Sequence, residues 1–359
     1  MNIVLTCATT GGHILPAIAI ANLLTKENHK VIFIGSKTGL ENDLVKNAGY
    51  ELKQISSGKL LRRITLKNIS NMYCAYKGIK ETENILKDFK ADLVIGTGGY
   101  ICASVMSAAK KCKIPYIIHE SNAFPGLSVK LLAKNAKAVL LGFEEAKDRL
   151  KGNLIYTGTP TTFSKEEYFK LNKEKLKEKY NIKTNKVITI FGGSQGAKFL
   201  NETIINMLSD NIFKDITFIL VTGKNNYKEI KEKIKINKIK NIKIIDFVYD
   251  MKEVYKISDM CITRAGALTI NELVITNMPS INIPYPYASE NHQLYNAKVL
   301  ENIGSSKVLE EKDLTKEILK EEIVKIINDN IVLEKMSKNL DKIYDEKVEE
   351  KILKIITSG

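Results

Sequence analysis

Short apolar runs rich in β-branched residues alternate along the chain with longer segments whose apolar positions have helical spacing. The short runs predict strands, and the longer segments predict helices. In the first half, the predicted strands span residues 2–6, 30–34, 51–55, 92–95, 116–119, 138–141 and 154–157. In the second half, they span residues 187–191, 217–222, 242–247, 260–263 and 280–283. This alternation of strands and helices indicates parallel sheets.

Helices are predicted between these strands. They cover residues 14–24, 40–48, 103–110, 126–133, 198–208, 227–236, 251–257, 268–276 and 293–301, with terminal helices from residue 315 onward. Residues 64–89 predict one long helix, or two with Gly78 as a weak point. Pro16 is expected in the first turn of its helix, where proline is tolerated. The last helix is predicted over residues 335–356 and is amphipathic.

The length of the chain and one polar stretch predict its division. A chain of 359 residues fits two domains better than one core. The lysine-rich interval 161–186 is expected to contain the linker. We therefore predict an α/β protein with two doubly wound, Rossmann-like domains, 1–160 and 161–335. A terminal segment, 336–359, is expected to pack back on the first domain.

The composition is typical of a globular protein. Hydrophobic residues make up 44% of the chain and charged residues 27%. No window approaches the ~18 apolar residues of a membrane span. Glycines 11 and 12 and Pro16 interrupt the apolar N-terminus, which argues against a signal peptide. The five cysteines and four histidines show no metal-ligand spacing, so we expect reduced thiols, no metal site and no cofactor.

The net charge of +14 predicts a surface that attracts nucleic acids, acidic lipid headgroups or phosphorylated substrates. Solvated lysines without a specific role are the alternative. No basic stretch alternates with aromatic residues as a nucleic-acid platform would, so nucleic acid is not an expected partner. Residues 60–77 mix apolar and basic side chains, which favours docking on an anionic membrane surface. An amphipathic helix that faces the core is the alternative for this segment.

Segments that contain glycine follow four of the predicted strands, and three of these segments are rich in it. The four segments are residues 9–13 (TTGGH), 96–100 (GTGGY), 192–197 (GGSQGA) and 264–272 (RAGALTINE). A strand that gives way to a helix through glycine leaves backbone N–H groups unpaired, and these suit a phosphate. The carboxylate of Glu272, in the last segment, is suited to accept hydrogen bonds from two sugar hydroxyls. The two segments of the second half therefore indicate a nucleotide-sugar site.

Polar side chains at strand ends extend the set of candidates. The loop at 9–13 is either a tight turn with a capping histidine or a site where His13 serves as a general base. The segment 119–122 (HESN) places three polar side chains at another strand end, although His119 alone is equally compatible with a core position. In the loop at 284–293, His292 and Gln293 either reach sugar hydroxyls or simply follow a helix cap.

Two common nucleotide-binding motifs do not occur in the sequence. A GxGxxG fingerprint with an acid after the second strand is absent, since Gly35, Ser36 and Lys37 follow that strand. A hydride-transferring dinucleotide enzyme is therefore disfavoured. The phosphate-binding pattern GxxxxGK[ST] is absent as well.

Taken in order, the motifs TGGH, GTGGY, HESN, GGSQGA, RAGALTINE and NHQ resemble a family of GT-B-fold glycosyltransferases, from the first strand to the last helix. This family transfers N-acetylglucosamine from UDP-GlcNAc to the 4-hydroxyl of a lipid-linked muramyl-pentapeptide, with inversion, in peptidoglycan synthesis. The resemblance implies two Rossmann-like domains whose sheets face each other across a cleft. It also implies a peripheral protein on the cytoplasmic face of the cell membrane. Its implied partners are UDP-GlcNAc, the lipid-linked acceptor and an anionic membrane surface.

The residues that bind the donor in this family match positions in both halves of the chain. The matches are Thr10, Gly11, Gly12, Asn122, Ser194, Gln195, Val248, Arg264, Ala267, Leu268, Thr269, Ile270, Asn271, Glu272 and Gln293. By resemblance, Glu272 holds the ribose, and Phe247 with Val248 lies at the uracil. The acceptor-side matches are Gly98, Gly99, Tyr100 and His119. His13 is the first candidate for the base that takes the acceptor proton, and Glu120 is the second.

Three positions depart from the family pattern. Thr162 stands where an arginine is usual, Val129 stands where an asparagine is usual, and Cys102 with Ala103 replaces a small Ser-Gly pair. Another GT-B enzyme that uses a UDP-sugar, such as a glycolipid glycosyltransferase or a UDP-GlcNAc 2-epimerase, is the alternative function. Such an enzyme would not be expected to match GTGGY and HESN together. A non-enzymatic polyanion-binding protein is the remote alternative.

Overall fold

The computed structural model describes residues 1–8, 10–58, 66–193, 196–210, 212–248 and 250–358, without the side chains of residues 66–69. The chain divides into two compact units. The first unit contains Met1–Thr162 and Asp345–Gly359, and the second contains Phe163–Tyr344. Most of the interval in which the sequence suggested a linker is therefore part of the second unit, which also continues beyond residue 335.

A seven-stranded parallel sheet forms the centre of the first unit. Its strands are β1 (Asn2–Thr6), β2 (Lys30–Ser36), β3 (Leu52–Ile55), β4 (Leu93–Gly96), β5 (Tyr116–Glu120), β6 (Ala138–Leu141) and β7 (Leu154–Tyr156). Their order in the sheet is β3-β2-β1-β4-β5-β6-β7. The helices between them are α1 (Gly11–Lys26), α2 (Glu41–Asn47), α3 (Leu66–Asp88), α4 (Ile101–Lys111) and α5 (Leu127–Leu132).

The second unit repeats this plan with a six-stranded parallel sheet. Its strands are β8 (Lys186–Phe191), β9 (Ile216–Val221), β10 (Ile242–Ile245), β11 (Met260–Thr263), β12 (Ser280–Asn282) and β13 (Ser306–Val308). Their order is β10-β9-β8-β11-β12-β13. The helices are α6 (Lys165–Phe169), α7 (Lys173–Lys179), α8 (Lys198–Leu208), α9 (Tyr227–Ile236), α10 (Met251–Ile257), α11 (Ala267–Ile275), α12 (His292–Asn302), α13 (Lys316–Ile327) and α14 (Asn330–Leu340).

Helices cover both faces of each sheet, which explains why the central strands are continuous apolar runs. Strands β4, β5, β6 and β9 are buried at every residue. Buried apolar side chains fill both faces of the first sheet, and a large cluster that includes Leu200, Phe218 and Ile323 packs against the second. Two rigid sheets therefore hold the loops at the carboxyl ends of their strands in fixed places.

The C-terminal helix, α15 (Val348–Thr357), belongs to the first unit. Its residues Ile352 and Ile356 are buried in the same cluster as Ile14 of α1. The prediction of a single helix over residues 335–356 is wrong, because α14 ends at Leu340 and residues 341–347 separate it from α15.

Two further helices differ from the sequence predictions. Helix α1 begins at Gly11, earlier than expected, so Pro16 lies in its second turn rather than its first. Proline there leaves the Gly12 carbonyl without its intrahelical donor. Helix α3 runs unbroken through Gly78, where a side chain would collide with the Ser56 carbonyl. The short strand β13 was not predicted at all, because three residues carry too little pattern to be recognised.

Candidate active site

The order of strands reverses at one place in each sheet. In the first unit this switch point lies between β1 and β4, and in the second it lies between β8 and β11. Open parallel sheets bind ligands in the crevice outside the carboxyl ends of the strands at such a point. The four glycine-containing segments of the sequence follow these four strands. The fold therefore places them in two pairs, one at each switch point.

In the second unit, helices α8 and α11 both start at the switch point without a side-chain cap. Ala197 and Gly266 are their N-cap residues, and neither first turn carries an acidic residue. Gly196 has a φ of +72° and a side chain there would meet the Thr222 carbonyl at 2.5 Å, so only glycine fits. Both starts leave backbone N–H groups available to an anion. The predicted contact residues Ser194 and Gln195 lie outside the described residues.

The first turns of α11 offer backbone rather than side chains. Ala267 and Leu268 are buried, and Ile270 is fully buried. The Asn271 side-chain amide donates to the Ala267 carbonyl at 2.8 Å and so belongs to the helix itself. Thr269 is half-exposed. Ile270 therefore offers the donor its backbone rather than its side chain, and its assignment to the donor site stays a prediction.

Glu272 lies farther along α11 and is 8% exposed. Its Oε2 accepts a hydrogen bond of 2.8 Å from the hydroxyl of Tyr255 on α10. Burial raises the pKa of Glu272 to about 7; the hydrogen bond from Tyr255 lowers that pKa, and the nearby charge of Asp250 raises it. Val248, the predicted neighbour of the base, is half-buried and packs against the cluster that contains Val254 and Ile257.

Arg264 is buried, and its guanidinium is bonded within the second unit. It is 6% exposed, and one guanidinium nitrogen donates to the carbonyls of Ile283 at 3.0 Å and Pro284 at 3.2 Å. The other nitrogen pairs with Glu311, which follows β13. The guanidinium also lies 5.5 Å from the ring centroid of Tyr285. The Arg264 guanidinium is therefore engaged by the loops that follow β12 and β13. Its assignment to the donor site stays a prediction.

The loop that Arg264 braces leads to Gln293. The Oε1 of Gln293 accepts a hydrogen bond of 2.9 Å from the Tyr285 backbone N–H, which orients its amide nitrogen. Glu290 and Asn291, just before α12, both have a φ of +54°. Non-glycine residues adopt this conformation only at a cost, and such strain concentrates at functional sites. The loop is thus held in one defined shape beside the switch point of the second unit.

In the first unit, His13 lies in the first turn of α1, and its ring is half-buried. Its Nδ1 lies 3.0 Å from the Thr97 carbonyl, which accepts, so Nδ1 carries the proton. The Thr97 hydroxyl in turn donates to the His13 carbonyl at 2.6 Å. Burial lowers the pKa of His13, while the Thr97 carbonyl opposes this shift. A neutral imidazole with its Nε2 lone pair available is the form that a general base requires.

Thr10, Gly11 and Gly12 precede this histidine and form the uncapped start of α1. Gly98 and Gly99 have φ values of +114° and +92°. A side chain at Gly98 would lie 2.5 Å from Nδ1 of His13, so this glycine makes room for the histidine ring. Tyr100 follows at the start of α4 and is half-buried, with its hydroxyl 3.4 Å from that of Ser57.

His119 is completely buried. Its Nε2 donates to the Gly158 carbonyl at 3.1 Å, and its Nδ1 accepts from the Ser121 hydroxyl at 3.2 Å. Burial lowers the pKa of His119 to about 4, so the ring is neutral. The expectation that His119 faces an acceptor is therefore not met in this conformation, because both ring nitrogens are engaged inside the fold.

Glu120 is also buried, and its carboxylate shapes the loop that follows β5. One oxygen accepts from the backbone N–H and the side-chain amide of Asn122, both at 2.9 Å. The other accepts from the Gly126 N–H at 3.0 Å. This carboxylate is committed to local donors, so the geometry favours His13 over Glu120 as a base. Asn122 itself is half-buried at the loop surface.

Three residues that support the site were missed from the sequence: Thr97, Tyr255 and Glu311. Tyr255 occupies an apolar position of α10, and Glu311 is one of many acids in a charged segment, so neither carries a sequence signal. Thr97 stands inside GTGGY and was read only as part of a glycine loop. In the part of the chain that is described, no group of His, Cys, Asp or Glu side chains is arranged to hold a metal ion.

Comparison with known proteins shows the family to which the two units are similar. The model of the glycosyltransferase family 28 N-terminal domain matches residues 3–141, and that of the C-terminal domain matches residues 187–352. A protein from Thermoanaerobacter sp. (strain X514) is 42% identical over 97% of both chains. One from Acetivibrio thermocellus is 37% identical over 99% of this chain and 97% of its own. Both are named UDP-N-acetylglucosamine–N-acetylmuramyl-(pentapeptide) pyrophosphoryl-undecaprenol N-acetylglucosamine transferase.

Solved structures agree with this similarity. The crystal structure of Acinetobacter baumannii MurG covers 100% of the chain, with 25% sequence identity and a TM-score of 0.77. A structure of MnaA from S. aureus with UDP is 16% identical with a TM-score of 0.71, which shows a shared fold alone.

Proposed function

The chain belongs to glycosyltransferase family 28, and we propose from this premise that it transfers N-acetylglucosamine from UDP-GlcNAc to the 4-hydroxyl of a lipid-linked muramyl-pentapeptide. It is a hexosyltransferase of peptidoglycan synthesis. The observation that carries the proposal is the switch point of the second unit, where two uncapped helix starts lie beside a buried carboxylate. A diphosphate and a ribose are the two parts of UDP that such groups recognise.

The donor is assigned to the second unit. The N–H groups at the starts of α8 and α11 donate hydrogen bonds to the diphosphate oxygens, and Glu272 accepts hydrogen bonds from the ribose hydroxyls. Val248 lies against the uracil. The side-chain amide of Gln293 forms hydrogen bonds with the sugar hydroxyls. Arg264 acts indirectly, because it donates to the carbonyls of Ile283 and Pro284 and so holds the loop whose Tyr285 N–H orients Gln293. As UDP leaves, negative charge grows on the diphosphate, and the preorganised N–H groups stabilise it without reorganisation.

The proton chemistry is assigned to the first unit. The 4-hydroxyl of the muramyl sugar attacks the anomeric carbon of N-acetylglucosamine, the bond to UDP breaks, and Nε2 of His13 takes the hydroxyl proton. The Thr97 carbonyl holds the tautomer that exposes this nitrogen. The residues assigned to the border of the acceptor are Gly98, Gly99, Tyr100 and Asn122. Two buried side chains hold the loops around them through hydrogen bonds: His119 bonds to the Gly158 carbonyl, and Glu120 bonds to the Gly126 N–H.

We also propose that the protein attaches to the cytoplasmic face of the membrane as a peripheral protein. Among the described residues, no helix is long and apolar enough to cross a bilayer. Helix α3 exposes Met72, Tyr73 and Tyr76, and α5 exposes Leu127 and Leu131. Lysines 80 and 111 lie over the Tyr76 ring at 5.3 and 6.0 Å. Apolar side chains flanked by cations suit an anionic lipid surface. Residues 60–65 of the predicted basic segment lie outside the described residues.

The test of the function is transfer of labelled N-acetylglucosamine from its UDP donor to a lipid-linked muramyl acceptor. UDP-GalNAc serves as the matched control donor, since it differs only at the 4-hydroxyl of the sugar. Efficient transfer from UDP-GlcNAc and little from UDP-GalNAc is expected. Equal use of the two donors, or hydrolysis without transfer, would contradict the proposal. Production of a free epimerised sugar nucleotide would support a 2-epimerase instead.

A further inference from the structure

One buried hydrogen bond in the second unit is not explained by packing alone. Tyr255 on α10 is completely buried, and its hydroxyl donates to Oε2 of Glu272 on α11 at 2.8 Å. The Tyr255 ring meets Phe191 edge-on, with centroids 5.8 Å apart and an interplanar angle of 78°. The last residue of β8 therefore fixes the tyrosine ring, and the ring fixes the place of the hydroxyl.

Only one of the two carboxylate oxygens is engaged by this contact. No described residue donates a hydrogen bond to Oε1 of Glu272, whereas Oε2 receives the Tyr255 hydroxyl. Glu272 is a buried residue with 8% exposure, but among the described side chains its Oε1 does not belong to the fully buried polar atoms that lack a partner. A carboxylate held at one oxygen and open at the other can accept ligand hydroxyls with little loss of side-chain freedom.

The surroundings of Glu272 oppose its charge. The titratable groups that act on this region are Tyr255, Asp250 at the start of α10, and the buried thiol of Cys261 on β11. Burial and the like charge of Asp250 both raise the pKa of Glu272, and the Tyr255 hydrogen bond acts in the opposite direction. No described cation contributes to this balance. Among the described groups, Tyr255 is therefore the one that stabilises the charged form of Glu272.

We propose that Tyr255 is a positioning residue for the donor: its hydroxyl fixes Glu272 through Oε2 and leaves Oε1 to accept hydrogen bonds from the ribose hydroxyls. The inference rests on the proposed function, which assigns the ribose to Glu272. Tyr255 touches no part of the donor itself. It acts through the carboxylate of Glu272. Removal of the Tyr255 hydroxyl should therefore weaken the binding only of ligands that carry ribose hydroxyls.

The experiment compares two nucleotides on two variants by titration calorimetry. Tyr255→Phe removes the hydroxyl and keeps the ring that packs on Phe191. This variant should bind UDP about tenfold more weakly or worse, because a hydrogen bond to a charged group is lost. Its affinity for 2′,3′-dideoxy-UDP should equal that of the unaltered protein. Tyr180→Phe is the matched control, since the Tyr180 hydroxyl donates to Glu253 at 3.0 Å and should affect neither nucleotide.

A purely structural role predicts a different result, namely equal weakening of both nucleotides by Tyr255→Phe, and that result would overturn the inference. A second comparison covers the case in which Tyr255→Phe folds poorly. Glu272→Ala and the double variant Glu272→Ala/Tyr255→Phe both lack the carboxylate and any side-chain acceptor for the Tyr255 hydroxyl. If Tyr255 acts through the carboxylate, these two should bind UDP equally, and a further loss in the double variant would contradict the proposal.

The same measurements separate this inference from the proposed function. Unaltered protein that binds neither UDP nor UDP-GlcNAc would refute the function. If the unaltered protein binds UDP and 2′,3′-dideoxy-UDP equally, the ribose hydroxyls do not bind Glu272. The inference would then be refuted together with that assignment. Discrimination between the nucleotides that persists unchanged in Tyr255→Phe would refute the inference alone.

Discussion

Residues of one type take opposite roles in this protein because their surroundings differ. His13 follows the first strand of the first sheet and His119 lies near the end of β5, and both were candidates for chemistry. His119 is fully buried with both ring nitrogens bonded, whereas His13 keeps Nε2 available because its Nδ1 faces the Thr97 carbonyl. Arg264 and Glu272 form a similar contrast, since the arginine is committed to the protein and the glutamate retains an open oxygen.

Replacement of His13 by alanine should lower the turnover number by about 10²- to 10⁴-fold, the usual contribution of a general base. The dissociation constant of UDP should change little, because UDP is assigned to the other unit. Steady-state kinetics with the lipid-linked acceptor and calorimetry with UDP provide the two measurements. His29→Ala is the control, since the Nδ1 of its ring lies 3.2 Å from the N-terminal amine of Met1 rather than beside Thr97. Unchanged turnover in His13→Ala would remove His13 as the base.

The affinity for UDP should depend on pH through Glu272. Burial raises the pKa of this residue to about 7 in the protein without ligand, and only the ionised form accepts hydrogen bonds at both oxygens. UDP should therefore bind with constant affinity well above pH 7 and progressively more weakly as the pH falls below it. Calorimetry between about pH 5.5 and 8.5 measures this trend. The variant Glu272→Gln should bind weakly at every pH, and an equally steep dependence in that variant would assign the titration to another group.

At the scale of elements, the ends of strands and helices make the site, and the buried sheets hold them in place. Helices α8 and α11 start beside each other because β8 and β11 are neighbours in the sheet. The loop before α12 is held in turn by the pair of Arg264 and Glu311, which links the carboxyl ends of β11, β12 and β13. Removal of one partner of a buried ion pair leaves the other charge uncompensated.

The variant Glu311→Gln should raise the Michaelis constant for UDP-GlcNAc by about tenfold or more, because the loop that carries Gln293 loses its brace. The affinity for UDP, which lacks the sugar, should change much less. Glu310→Gln is the matched control, since Glu310 forms an exposed ion pair with Lys312 at 3.4 Å. Equal losses for UDP and UDP-GlcNAc would show that the pair supports the whole unit rather than the loop.

The exposed side chains of α3 and α5 should govern attachment to membranes. Replacing Leu127 and Leu131 by glutamate should release the protein from vesicles that contain anionic lipid, because apolar area is lost and like charge is added. Sedimentation with vesicles of phosphatidylglycerol and neutral lipid measures the bound fraction. Ile236→Glu is the control, since Ile236 is 75% exposed on α9 of the second unit. Undiminished binding of the Leu127/Leu131 variant would exclude this surface.

At the scale of the whole molecule, the chain builds the same plan twice and then adds α15 to the first unit. The first unit is therefore assembled from segments that lie far apart in the sequence. Ile352 and Ile356 fill its core beside α1, whose N-terminus carries His13. Each unit has its own buried clusters, and this arrangement predicts that core damage in one unit leaves ligand binding by the other intact.

The variant Ile352→Ala should destabilise the first unit by about 2–5 kcal/mol, the usual cost of removing a buried isoleucine side chain. UDP binding to the second unit should persist in this variant at temperatures where the first unit still folds. Thermal unfolding followed by circular dichroism, together with calorimetry, measures both effects. Lys354→Ala, an exposed change on the same helix, is the control. Parallel loss of UDP affinity would show that the units do not behave independently.

Periodicity and the positions of glycines predicted the fold class, every described strand except β13 and most of the helices, because strands buried on both faces and amphipathic helices each have a strong local pattern. Helices α6 and α7 were not predicted individually, since their interval was interpreted only as a lysine-rich linker. The motifs also identified the loops at both switch points. The break between α14 and α15 and the short strand β13 could not be predicted, because a few residues of coil or strand carry no distinct period. Only the tertiary structure assigned α15 to the first unit, since that depends on a contact between distant segments.

The tertiary structure also decided which of the candidate side chains are accessible and which are bonded inside the fold. The sequence determined which side chains lie near the site, since they follow strands whose carboxyl ends share an edge. It did not determine that His119 and Ile270 are buried, that Arg264 pairs with Glu311, or that Tyr255 donates to Glu272. Burial and hydrogen-bond partners depend on residues brought together from distant positions, and these surroundings, rather than the residue type, set charge and accessibility.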